Sequence, residues 1–240
     1  MSLAIIPARG GSKRIPRKNI RPFNGRPIIS YAVDVARASG LFDHIIVSTE
    51  DEEVASVARE CGAETPFIRP NDLANDETPT VPVVVHGIQK CKDLGWSFEH
   101  VCCIYPAVPL LEAEDLREAL EMLSANRSDY CVSIAKFPSV VQRALKRLDG
   151  GEIRPFYSQY EMTRTQDLDA AYYDVGQFYW GKTNAWLRNP KLHHSSVGYV
   201  IPSWRAIDID TPEDWLRAEL LYRCLKFSDH LVAGNDSRRR

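Results

Sequence analysis

Nowhere in the chain do apolar side chains run on for the roughly 18 positions that a membrane-crossing helix needs. A surplus of either charge is also missing. The 240 residues carry a formal net charge of -2 and 26% are charged, which argues against a wholesale nucleic-acid binder. The six cysteines (Cys61, Cys91, Cys102, Cys103, Cys131 and Cys224) form no CxxC pair and stand mostly inside apolar runs. Free thiols in a reducing cytosol are therefore expected, not disulfides or zinc. No basic segment precedes the first apolar stretch, so that stretch is expected to be a strand and not a signal peptide, and the protein to be cytoplasmic. Internal repeats and low-complexity segments are absent. So are two common phosphate motifs, GxxxxGK followed by Ser or Thr, and GxGxxG.

What is present is enough for one substantial core. With 44% hydrophobic residues, positions 1–227 are expected to form a single domain and 228–240 (SDHLVAGNDSRRR) a loose tail. Apolar strands are predicted at Leu3–Ala8, His44–Ser48, Val101–Tyr105, Tyr130–Ala135 and Trp204–Asp210. Between them the 3.6-residue period predicts helices from Pro27 to Gly40, Asp51–Glu60, Pro79 to about Leu94 with Thr78 as cap, Ala113–Leu123, and Pro212–Phe227 with Thr211 as cap. Continuous apolar strands alternating with helices indicate an α/β fold with a mostly parallel sheet covered on both faces. Residues 137–181 carry no helical pattern. Their aromatic and polar composition, with Gly150-Gly151 as a hairpin signal, reads as a β-rich excursion from the main domain.

Four constellations carry chemistry. In the first, strand one runs into Arg9-Gly10-Gly11-Ser12-Lys13, and seven basic residues fall from Arg9 to Arg26 without an acid among them. A glycine-containing loop full of cations at a strand end is a place to hold a polyphosphate, the alternative being a solvated turn. The second is Asp208-Ile209-Asp210. Residues two apart on an extended chain share a face, and a close carboxylate pair suits Mg²⁺ and a bound phosphate. Taken alone, the two read better as exposed acids before a helix; together with the cationic loop, a metal–triphosphate site becomes the better account.

The third is RPNDLANDETPT, residues 69–80, a polar loop entering a helix N-terminus. There Arg69 can pair with an anion and Thr80 offers a hydroxyl, although an ordinary capped loop has the same composition. The fourth joins Arg164, Gln166 and the stretch YYDVGQFYWG (172–181). Its aromatics, amides and guanidinium suit a sugar or carboxylate pocket, or equally an interface core. His193-His194 point to opposite faces of an extended chain and read as loop residues.

Together these segments resemble the acylneuraminate (CMP-sialic acid synthetase-like) cytidylyltransferase family across about residues 3–227. IIPARGGSKRIPRKNI is similar to its nucleotide motif, RPNDLANDETPT to its second motif, and Asp208 and Asp210 to its metal-binding aspartates. The resemblance implies a Rossmann-like nucleotidyltransferase fold. It also implies a homodimer contacting through 137–181, and Mg²⁺-dependent transfer of CMP from CTP to a nine-carbon acidic sugar. Ala8, Arg9, Gly10, Gly11, Ser12, Lys13, Asn19, Arg69 and Thr80 would then face the nucleotide. Lys18 is a second cation for the leaving group, and Tyr105, Arg164, Gln166 and Gln177 are the sugar-side candidates.

Three departures matter. Tyr105 stands where the N-acetylneuraminate enzymes carry glutamine, Leu111 replaces the arginine that ends QPTSPLR, and DVGQFYWG replaces an asparagine-glycine form. CCIYPAVP and DVGQFYWG resemble the branch acting on pseudaminic acid, with N-acetylneuraminate and legionaminate as the close alternatives. A non-catalytic nucleotide- or RNA-binding module has no use for the paired aspartates.

Overall fold

Strand β1 (Ser2–Pro7) opens the computed structural model, which describes residues 1–236, with side chains as far as Lys226. The basic loop follows, then a short hairpin of β2 (Pro22–Phe23) and β3 (Arg26–Pro27), then helix α1 (Ile29–Ser39). Next come β4 (His44–Ser48), α2 (Glu52–Glu60), α3 (Thr80–Asp93), β5 (His100–Ile104), α4 (Ala113–Ala125) and β6 (Tyr130–Lys136). The chain continues through a hairpin of β7 (Leu145–Arg147) and β8 (Ile153–Pro155), the long strand β9 (Tyr172–Lys182), α5 (Thr183–Arg188), β10 (Ser196–Val200) and α6 (Pro212–Asp236).

The main sheet has the order β10-β6-β9-β5-β1-β4. All of its strands run parallel except β9, which is antiparallel to both neighbours. The alternation within β1 shows why both faces are covered. Ala4 and Ile6 pack with α1 and α4 residues such as Ile29, Ala32, Leu116 and Leu123. Leu3 and Ile5 pack on the opposite face with Val84, Ile88 and Cys91 of α3 and Trp186 of α5. The predicted α/β class with a mostly parallel sheet holds.

Several boundaries and one strand are corrected. Trp204–Asp210 forms no sheet strand. It is an extended segment, and the edge position beside β6 belongs to β10. Tyr172–Lys182 is not part of an excursion but a central strand, which leaves 137–171 as the excursion, with its hairpin turning at Gly150-Gly151 as expected. The closeness of β9 to its surroundings depends on Gly181, where a Cβ would lie 2.5 Å from Trp186 Nε1 and 2.6 Å from Tyr130 Cδ1.

Pro27 pairs in the β2–β3 hairpin instead of opening α1. Thr78 does not cap α3, because its hydroxyl bonds within the preceding loop, to Asp72 O at 3.2 Å and Asn75 Oδ1 at 2.9 Å. Thr211 caps α6 as predicted, its Oγ1 accepting from Asp214 N at 3.2 Å. That helix continues to Asp236, past the predicted end at Phe227, so residues 228–236 are helical and not loose. Positions 237–240 of the expected tail lie outside the described residues. Cys91, Cys102, Cys103 and Cys131 are buried free thiols, and burial pushes Cys91 and Cys131 up to about 12, so they stay protonated and inert.

Candidate active site

The parallel strands β1, β4 and β5 end at one edge of the sheet, and the segments that leave them wall a cleft. Arg9, Lys13, Arg14 and Lys18 enter it from the basic loop, and Asp208 and Asp210 from the segment before α6. A small apolar cluster brings these two distant segments together. Ile15 of the loop and Ile207 and Ile209 beside the aspartates are buried with Phe23, Ile28, Leu110 and Trp215. Phe23 holds the centre of this cluster, edge-on to Tyr31, Trp215 and Tyr222 at centroid distances of 5.4, 5.5 and 5.7 Å.

The alternation Ile207-Asp208-Ile209-Asp210 thus puts isoleucines inward and carboxylates into the cleft. Burying one isoleucine is worth roughly 1.5–3 kcal/mol. An exposed ion pair is worth about 1 kcal/mol at most. The isoleucines therefore seat the segment, and the ion pairs across the cleft only trim it.

Every cation of the cradle has an internal partner. Arg9 and Lys13 both pair with Asp76, the lysine at 2.5 Å. Arg14 Nη1 meets Asp210 Oδ2 at 2.8 Å, and Lys18 Nζ meets Asp210 Oδ1 at 3.3 Å while donating to Ile209 O at 2.7 Å. The side chain of Lys13 is 81% exposed, so its pair is weak and is readily exchanged for a phosphate. The two cations hold Asp76 below the usual carboxylate range, Lys13 first and then Arg9.

Asp208 is the contrary case. Among the described residues no hydrogen bond or ion pair engages its side chain. Desolvation by its surroundings, and then the neighbouring Asp210, push its carboxyl above the ordinary value. A carboxylate raised in this way, opening on a cleft rich in cations, is a group suited to a ligand that this chain does not itself supply.

The family model described as cytidylyltransferase matches residues 3–189. The chain belongs to that family. It is 40% identical over 224 residues to a pseudaminic acid cytidylyltransferase of Campylobacter jejuni, covering 92% of this chain and 96% of that protein. It is 30% identical over 223 residues to the CMP-N,N'-diacetyllegionaminic acid synthase of Legionella pneumophila, covering 91% and 95%. A solved CMP:2-keto-3-deoxy-manno-octonic acid synthetase complexed with CTP superposes with a TM-score of 0.65 over 98% of this chain and 99% of that one. At 15% identity the likeness shows the fold alone.

The cytidylyltransferase cleft gathers most of the nucleotide-side residues expected from sequence. Arg9, Ser12, Lys13, Lys18, Asn19, Arg69, Thr80, Asp208 and Asp210 all line it, as does Tyr105 from the sugar-side list. Asn19 is buried. Its Nδ2 donates to Arg9 O at 2.9 Å, and its Oδ1 has no partner among the described residues. The hydroxyl of Tyr105 hydrogen-bonds Thr80 Oγ1, and its ring meets Tyr179 edge-on at 5.9 Å. Burial raises its pKa, so the phenol stays protonated and neutral.

The backbone behaves differently from expectation. Ala8 N donates to Ser48 O at 3.0 Å, Gly10 N to Glu50 Oε1 at 2.7 Å, and Ser12 N to Gly10 O at 3.1 Å. These amides are engaged within the protein, Gly11 is exposed and does not line the cleft, and the cradle is mainly one of side chains. Glycine is needed at position 10 for another reason. A Cβ there would lie 2.2 Å from Asp51 Oδ2.

Three sugar-side candidates lie elsewhere. Arg164 is exposed on the excursion and pairs with Asp167 at 2.7 Å, and Gln166 beside it is also exposed. Gln177 is buried, with its Nε2 donating to Arg205 O at 2.7 Å, so it braces the aspartate segment from behind. Its neighbour Gly176 (φ +64°) is the part of β9 that reaches the cleft. Sequence reasoning passed over Arg14, Asp76 and Glu50. The first two stand inside motifs already singled out. Glu50 had one signal, a carboxylate just past the carboxyl end of a parallel strand.

Proposed function

We propose that this chain transfers CMP from CTP to the anomeric hydroxyl of a nine-carbon acidic sugar, with pseudaminic acid favoured. The observation that carries the reading is the meeting of the cation cradle and the aspartate pair in one cleft of a cytidylyltransferase. The sugar preference is supported by the extent of similarity to the Campylobacter enzyme and by the tyrosine at position 105.

In this reading the anomeric oxygen bonds to the α-phosphorus, the bond to the bridging oxygen of pyrophosphate breaks, and the hydroxyl proton passes to solvent. Positioning and charge neutralisation are the main tasks of such a site. Arg9 and Lys13 hold the phosphates after exchanging Asp76 for them, and Arg14 and Lys18 neutralise the leaving pyrophosphate. The unpartnered Oδ1 of Asn19 accepts from the nucleoside.

Asp208 and Asp210 fit Mg²⁺, since a pair of hard oxygen donors beside a phosphate site suits an ion that keeps several waters and substrate oxygens. When bound, such an ion stabilises charge on the α-phosphate and lowers the pKa of the attacking hydroxyl. A homodimer is part of the proposal, supported by the exposed Leu145, Ile153, Phe156 and Met162 of the 137–171 excursion. So is a cytoplasmic location, where CTP is made; among the described residues no helix is long and apolar enough to cross a membrane.

The test is pyrophosphate release with CTP against pseudaminic, legionaminic and N-acetylneuraminic acids. The fastest turnover is expected with the first, and no release with any of the three would defeat the reading. Tyr105→Gln is expected to change the relative rates across these sugars by tenfold or more while leaving the KM for CTP within about twofold, because hydrogen-bond mismatches discriminate strongly. Unchanged relative rates would remove Tyr105 from the specificity determinants.

A further inference from the structure

We propose that Glu50 is a positioning residue of the nucleotide site, aiming Arg69 into the cleft and fixing the basic loop against it. The inference rests on the CTP reading above. Glu50 stands two residues beyond the end of β4, with its side chain 14% exposed. One carboxylate oxygen accepts from Gly10 N at 2.7 Å, and the other accepts from Arg69 Nη2 at 2.9 Å. A single side chain therefore joins the loop after β1, the end of β4 and the loop that leads to α3. Arg69 N, donating to Thr49 O at 2.8 Å, adds a backbone tie at the same place.

Arg69 is the unusual member. Its side chain is 3% exposed, it lines the cleft, and its Nε has no partner among the described residues. Buried donors are almost always satisfied, so an unpartnered one on a residue that lines the cleft leaves a hydrogen bond for a ligand acceptor to complete. A guanidinium presents five donors in a rigid fork, so engaging one nitrogen fixes where the others point. Burial lowers its pKa, Glu50 opposes that shift, and the nearby Arg9 adds to it. The carboxylate thus compensates and orients a desolvated cation, ready for phosphate oxygens. The adjacent acid has a separate task. Asp51 binds Arg17 at 2.6 and 3.1 Å and caps α2 by accepting from Val54 N at 3.0 Å. Asp51 holds the far end of the basic loop to the scaffold, whereas Glu50 holds its near end to the cleft.

Glu50→Gln keeps the shape and one accepting oxygen but removes the charge facing Arg69. The KM for CTP is expected to rise at least tenfold, with the KM for the sugar within twofold and calorimetric CTP binding weakened in parallel. Glu50→Asp, which retains the charge, should recover part of the CTP affinity. The double variant Glu50→Gln/Arg69→Met leaves no buried unpaired cation. It should melt close to the parent yet bind CTP no better than either single variant. A CTP KM for Glu50→Gln within twofold of the parent would overturn the inference. So would a double variant that regains parental CTP affinity, since the pair would then be structural alone. Parent protein that neither binds nor turns over CTP would instead defeat the functional reading, and this inference with it.

Discussion

Asp208→Asn is expected to lose at least about 10²–10³ in turnover while melting at or slightly above the temperature of the parent, the size of loss following the removal of one charge-stabilising group at a reaction centre. The two halves of this expectation have one cause. Asp208 is raised above the ordinary carboxylate range by its surroundings and by Asp210, so the folded protein disfavours its charge. Taking that charge away relieves the fold. The proposed Mg²⁺, in contrast, requires it. The sign follows from linkage. A folded-state pKa above the unfolded one means that ionisation costs stability, and the cost is present once the pH exceeds both values. Gain in stability with loss of function is the pattern of a residue kept for chemistry. Pyrophosphate release and a thermal melt on the same preparations check it. Parental turnover, or a fall of several degrees in the melt, would count against the assignment.

The largest effect on stability is expected at Asp115→Ala. Asp115 is 1% exposed and Arg205 6%, and they form a two-pronged pair at 2.5 and 2.9 Å. The same carboxylate accepts from Glu112 N at 2.9 Å, closing the start of α4, and from Tyr199 OH of β10 at 3.1 Å. Removing it leaves a buried guanidinium without its principal counter-charge, which typically costs about 3–5 kcal/mol. For a chain of this size that is a fall of on the order of 10 °C in Tm.

Arg205 also begins the segment that bears Asp208 and Asp210, and its carbonyl accepts from Gln177, so activity should fall with the fold. The double variant Asp115→Ala/Arg205→Met is expected to recover much of the stability, because replacing both members of a buried pair by apolar groups is often close to neutral. Denaturant midpoints measure both. A single variant within about 1 kcal/mol of the parent, below the range for a broken buried pair, would show that the pair is not what holds this corner.

Much of the architecture was legible because local pattern and tertiary role agreed. Leu3–Ile6, Ile45–Val47 and Val101–Ile104 are continuous apolar runs, and they became parallel strands of the sheet. Thr211 reads as a helix cap and acts as one, whereas Asp51, read as the first residue of α2, is its cap. The failures have equally specific reasons. Tyr172–Lys182 contains Asp174, Gly176 and Gln177, which disguise a central strand. Gln177 is buried there with its amide nitrogen donating to Arg205 O. Ile207 and Ile209 alternate as a strand would, but their inner face packs on an apolar cluster and their backbone finds no sheet partner. A period of two reports extended chain and not pairing. Arg164 and Gln166 had suitable chemistry and fall on the excursion expected from sequence, but their separation from the cleft was not encoded nearby.

The amino-acid order alone determined the chemical inventory of the site: a run of cations at the end of the first strand, and two acids spaced to share a face. Only the tertiary structure decided that they meet. Lys18 and Asp210 are 192 positions apart, and no local propensity can close that distance. Burial of Ile15 with Ile207 and Ile209 in one cluster closes it, because removing apolar surface from water does not depend on separation along the chain.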